Sequence, residues 1–176
     1  MAISYTVSKV ATTFVVNYKA SGPVGVTFTY VQRLAFMGFD LSSSGITLGQ
    51  VDFAELILRC VATVGGGNTL IVTSASDPNG FGATLSASNA DWASTVINSE
   101  GTVDVFATGQ YIIPVNKANI DFSGVTYYRL MNFNEGDGAP YQTGATFNSV
   151  TATSNKPILR LTLFSGQIIY INVQYS

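Results

Sequence analysis

Apolar and polar side chains alternate along most of this chain. From Thr13 to Tyr18, Phe14, Val16 and Tyr18 share one side, while Thr13, Val15 and Asn17 share the other. A period of two predicts a strand with one buried face. Shorter runs at Thr6 to Val10 and Val26 to Val31 read the same way, the latter after a turn marked by Ser21-Gly22-Pro23. The stretch from Arg33 to Cys60 organises the rest, because it reads as two core strands joined by the turn Ser42-Ser43-Ser44-Gly45. In its first half Leu34 and Phe36 alternate with Arg33, Ala35 and Met37; in its second, Leu56, Leu58 and Cys60 oppose Glu55 and Arg59. A helix over Phe53 to Val61 is the alternative, since Ala, Glu, Leu and Arg are good helix formers. The shortness of the segment and its Gly-punctuated flanks favour the strand.

The pattern continues to about Val64 and meets Gly65-Gly66-Gly67-Asn68, a hairpin signal. Thr69 to Ser74 is the expected return strand, with Ile71 in the core. No Gly-Lys-Ser/Thr follows the glycines and no helical pattern starts there, so they do not read as a phosphate loop. Residues 76 to 100 lose periodicity. Thr102 to Ala107, Tyr111 to Val115 and the apolar run Val125 to Phe133 resume it, with a turn or one helical turn at Asn116 to Asn119. Ala145 to Thr151 and Pro157 to Phe164 are the next pair, with Leu159, Leu161 and Leu163 inward. The last run, Gln167 to Tyr175, carries apolar residues on both faces, which suits a strand covered on both sides or paired with a neighbouring subunit. About a dozen short strands and no long helix predict an all-β sandwich of two antiparallel sheets, as one domain over residues 1–176.

Particular residues add a resemblance. Arg33-Leu34-Ala35-Phe36-Met37-Gly38-Phe39-Asp40-Leu41-Ser42-Ser43, then Ile46-Thr47 and Ala54-Glu55-Leu56-Ile57-Leu58-Arg59, resemble the opening motif of DNRLRE-type domains. These are jelly-roll β-sandwiches related to carbohydrate-binding modules. Phe147-Asn148-Ser149 and Asn155-Lys156-Pro157-Ile158-Leu159-Arg160-Leu161-Thr162-Leu163 resemble the closing motif, and Tyr111-Ile112-Ile113-Pro114-Val115-Asn116 falls where that family has a strand entering a short helical turn. The likeness covers residues 14 to 164. It departs at Val150-Thr151, where the family has an acidic residue, and in the segment after residue 164. It implies a jelly roll and places Trp92 loosely at a family tryptophan, while residues 167–176 read as an additional C-terminal strand of this chain's own.

Composition narrows the function classes. The chain of 176 residues is 47% apolar and only 10% charged, with a net charge of −2, so it has no broad basic field for nucleic acid and no attraction to an anionic membrane. Weak charge also gives little colloidal repulsion, which favours assembly over a lone monomer. There is no histidine, which removes His-based metal sites and every His-dependent triad. The single cysteine, Cys60, lies among inward-facing leucines and reads as a small buried hydrophobe. Met1-Ala2-Ile3-Ser4-Tyr5 lacks the basic and apolar regions of a secretory signal, so none is expected.

The carboxylates are scattered singly, so a non-catalytic protein is expected; a paired-carboxylate site assembled only by folding is the exception to look for. Asn134, Glu135 and Asp137, with Gly136 and Gly138 between and after them, are candidate oxygen ligands for calcium, against the plainer reading of a hairpin turn. No other cofactor is expected. Trp92, Tyr111, Tyr128 and Tyr141 are the candidate glycan-stacking aromatics, against the commoner role of packing in the core or rim. Ile169, Ile171, Val173 and Tyr175 are the candidate docking residues. Together these point to a virion structural protein: a head-decoration, fibre or tail-associated jelly roll on the virion surface, made in the host cytoplasm. Its expected partners are itself or a capsid or tail protein, with a glycan as a further ligand. The alternative is a carbohydrate-binding module of a secreted bacterial protein, which would be extracellular.

Overall fold

A computed structural model describes residues 13–18, 28–64, 68–75, 96–132, 144–148 and 152–173. These form the strands β1 (Thr13–Tyr18), β2 (Phe28–Asp40), β3 (Val51–Val64), β4 (Asn68–Ala75), β5 (Val96–Val105), β6 (Gly109–Val115), β7 (Val125–Asn132), β8 (Gly144–Phe147), β9 (Ile158–Leu163) and β10 (Ile168–Asn172). Two single turns of 3-10 helix, η1 (Leu48–Gln50) and η2 (Lys117–Asn119), cap one end. One sheet has the order β1-β2-β7-β4-β5 and the other β10-β9-β3-β6. β8 continues the line of β9 along the same edge of β3, pairing with Cys60–Val64 where β9 pairs with Val51–Ile57. Every pairing is antiparallel.

Apart from the β4–β5 pair, the chain changes sheet at each step from β2 to β8. The resulting orders, β2-β7-β4-β5 and β9-β3-β6, are those of a jelly roll. β10 is the additional C-terminal strand, placed at the edge beside β9.

Alternation builds the core between the sheets. Met37, Phe39, Leu70, Val72, Tyr128 and Leu130 point in from one sheet, and Leu56, Leu58, Ile113, Leu159 and Leu161 meet them from the other. Each such large side chain contributes about 1.5–3 kcal/mol by leaving water. Phe53 to Val61 is therefore strand, with Leu56, Leu58 and Cys60 inward as the period of two predicts.

Four expectations change. First, the two core strands of the Arg33 to Cys60 stretch lie in different sheets, because Leu41 and Ile46 drop into the core and carry the connection across the end of the sandwich. Second, β3 and β4 do not form a hairpin. Both edges of β3 are already taken, by β6 on one side and by β8 and β9 on the other. Third, Leu70 and Val72 are the core residues of β4, and Ile71 faces the other way. Val26 to Val31 and Arg33 to Leu41 also merge, as far as described, into the one strand β2.

The capped end is held by local polar contacts. The Asp40 carboxylate accepts from the Ser42 N–H at 2.9 Å and its hydroxyl at 2.6 Å. Asp121 repeats the device with Ser123, at 2.9 and 2.7 Å. The Leu41 N–H donates to the Gly124 carbonyl at 2.9 Å, which ties the two turns together. Opposite them, Val72 pairs with Gly101 and Thr73 with Ser99, so Glu100 is the extra residue of a bulge, and Gly101 has a φ of +134°. The bulge re-aims the Glu100 side chain. Its oxygens accept from the Asn116 N–H at 2.7 Å and from Asn119 Nδ2 at 2.8 Å, fixing η2.

Candidate functional site

The sequence-predicted residues scatter. Tyr128 is fully buried, packed edge-on against Phe39 with ring centroids 6.0 Å apart. It offers no face to a sugar, which corrects its assignment as a stacking residue. The cause is parity: Tyr128 pairs with Met37 and Ser74 on the inward side of its sheet. Tyr111 is half-buried beside Phe147, and its hydroxyl donates to the Ala107 carbonyl at 2.8 Å and accepts from the Ala107 N–H at 3.3 Å. This tether closes the β5–β6 turn. Trp92, Tyr141, Asn134, Glu135, Asp137 and Tyr175 lie outside the described residues. Among those that are described, no three His, Cys, Asp or Glu side chains gather as metal ligands.

The docking residues are corrected in direction. Val173 is buried in the core, and Ile169 and Ile171 pack against it. The opposite side of β10 faces outward instead, with Ile168 47% and Tyr170 55% exposed. Those side chains belong to a larger surface, the outward face of the β10-β9-β3-β6 sheet. Phe53 is 45% and Ile112 43% exposed on the same face. The registers set the rows: Ile112 stands beside Ile57, which stands beside Ile158; Pro114 stands beside Glu55, then Arg160, then Tyr170; Thr162 lies between Phe53 and Ile168. Four strands about 4.8 Å apart, each giving about six residues of about 3.3 Å, make a platform roughly 15–20 Å on a side.

Charge on the centre of this platform cancels. Arg160 Nε donates to Glu55 Oε2 at 2.6 Å, and the second guanidinium nitrogen also contacts that oxygen. Arg59 is exposed farther along β3, beside Gln110. At the other border Lys117 donates to the Val51 carbonyl, with its ammonium 4.8 Å from the centre of the Phe164 ring. The ammonium is held by the framework at the rim and does not project over the platform.

Phe53, Ile57, Ile112, Ile158, Ile168 and Tyr170 were missed as a set. Their signal was visible: in β3, β6, β9 and β10 the wet positions also carry apolar residues, although a half-solvated antiparallel sheet ordinarily alternates apolar with polar. Parity shows that such residues face outward; only strand order shows that they form one surface.

No family model matches the chain, and a search of the curated proteins finds no match.

Proposed function

We propose that this chain is a non-catalytic structural protein that works by contact, through the outward face of the β10-β9-β3-β6 sheet, within a virion as a head-decoration, fibre or tail-associated protein. The observation that carries the reading is the row Ile112–Ile57–Ile158, apolar and partly solvent-exposed on a sheet face whose central charges cancel. Contiguous apolar patches of several hundred Å² mark interaction sites on soluble proteins. Scattered surface leucines would not. The low overall charge and the jelly-roll order support the same reading, since a protein held in an assembly needs little charge to stay dispersed.

The test is to produce particles from the encoding genome with the wild-type chain or with Ile112→Asp. Ile112 is exposed on the edge strand β6, so the substitution leaves the core alone. Wild-type chain should purify with the particles, and the variant should be lost from them while keeping its folded spectrum. Wild-type chain free of particles, or a variant that stays attached, rejects the reading.

A carbohydrate-binding module of a secreted protein is the second reading, favoured by the exposed ring of Tyr170 on the outward sheet face. It predicts retention on a polysaccharide column that Tyr170→Ala abolishes.

A further inference from the structure

The exposed edge of this sheet carries a separate inference. β10 pairs with β9 through Ile168–Thr162, Tyr170–Arg160 and Asn172–Ile158, with Ile169 and Ile171 between. The Leu163 N–H donates to the Gln167 carbonyl at 2.8 Å and the Val173 N–H to the Pro157 carbonyl at 3.0 Å. In an antiparallel pair, bonded positions alternate with non-bonded ones. Gln167, Ile169, Ile171 and Val173 therefore point their backbone groups at β9. Ile168, Tyr170 and Asn172 point theirs the other way, along an edge where β10 has no partner strand among the described residues.

Natural edge strands are blunted with charged residues, proline, a bulge or extreme shortness. The stretch Gln167-Ile168-Ile169-Tyr170-Ile171-Asn172-Val173 has no charge, no proline and no glycine, and its register with β9 runs without a shift. Nothing in it opposes pairing with another strand.

We infer that the β10 edge pairs antiparallel with the β10 edge of a second copy of this chain, across a two-fold axis at Tyr170. Electrostatic self-complementarity favours a second copy: the residue on a two-fold axis meets its own image and its neighbours meet in exchanged pairs, so a charge at the axis repels itself. β10 contributes none, and Arg160, which pairs with Tyr170, is neutralised by Glu55. Centring on Tyr170 sets Ile168 opposite Asn172 of the second copy and makes about six backbone hydrogen bonds between subunits. The two outward faces then join into one surface of double width. This pairing does not depend on what occupies that face.

The experiment is sedimentation of the full chain, with amide hydrogen exchange read residue by residue. The wild type should sediment at twice the monomer mass, with the Ile168, Tyr170 and Asn172 amides protected like those of Ile169 and Ile171. Tyr170→Pro removes one edge-facing N–H without removing a bond to β9. It should give a monomer in which the Ile168 and Asn172 amides exchange about a hundredfold faster while Ile169 and Ile171 stay protected. Tyr170→Lys sets like charges across the axis and should weaken the dimer, less so in high salt. Ile112→Asp, on the far strand, should leave the dimer intact, so a failed face and a failed edge are told apart. A wild-type monomer overturns the inference, as does a dimer untouched by both Tyr170 variants, or protection of all five amides in a monomer.

Discussion

At Tyr128 a phenol lies wholly inside the sandwich, and its hydroxyl has no hydrogen-bond partner among the described residues. A buried polar group left unpaired costs about 1–3 kcal/mol. Tyr128→Phe should therefore hold or raise stability in a denaturant melt, whereas a loss above about 1 kcal/mol would show that the hydroxyl is bonded. Burial, and secondarily the Glu100 carboxylate, pushes this phenol far above the usual tyrosine range. The unfolded chain releases that proton above about pH 10 and the folded chain does not. Stability should thus fall as pH rises through the alkaline range, less steeply in Tyr128→Phe. The acid limb has the opposite sign. The Ser42 hydroxyl and N–H hold the Asp40 carboxyl below its ordinary value, and those of Ser123 do the same for Asp121. Their contribution is present above about pH 4 and is lost as pH falls through the folded values. Asp40→Asn with Asp121→Asn should flatten the stability profile below that point. Neither effect was legible beforehand: the residue before a Ser-rich turn is visible in sequence, but the depth of Tyr128 depends on which side of β7 meets the other sheet.

Strands were the most legible elements, because Leu56, Leu58 and Cys60 against Glu55 and Arg59 leave one buried face whatever the neighbours are. Pairing was less legible. Three glycines after Val64 suit a hairpin, yet the hairpin is forbidden once β6, β8 and β9 occupy the edges of β3, and those strands come later in the chain. In β10 both faces are apolar, so only its register with β9 decides that Ile169 and Ile171 turn in while Ile168 and Tyr170 turn out. The bulge in β5 was hidden, because β5 begins at Val96 within the aperiodic stretch, six residues before the strand expected from Thr102, and Gly101 lies inside β5. Gly101 holds a φ of +134°, which a side chain strains. Gly101→Ala should cost about 1–3 kcal/mol in a chemical melt. Glu100→Ala should not add its full effect to that loss, because both act through the same turn of chain onto η2. Full additivity would separate the bulge from the fixing of η2.

For the molecule as a whole, the all-β sandwich followed from alternation, low charge and the lack of any long helical pattern. The outward apolar face proposed for contact did not. That surface gathers Phe53, Ile57, Ile112, Ile158 and Tyr170 from four strands spread over more than half the chain, and only strand order puts them side by side. Phe106 provides an internal reference, since it is 67% exposed and lies in the β5–β6 turn at the opposite end of the sandwich from Phe164. Hydroxyl-radical oxidation of the chain, free and in purified particles, measures the claim directly. Oxidation of Phe53, Ile112 and Tyr170 should drop severalfold on assembly, with Phe106 unchanged. Protection of Phe106 with the sheet face still open, or no difference between the two states, would contradict the account.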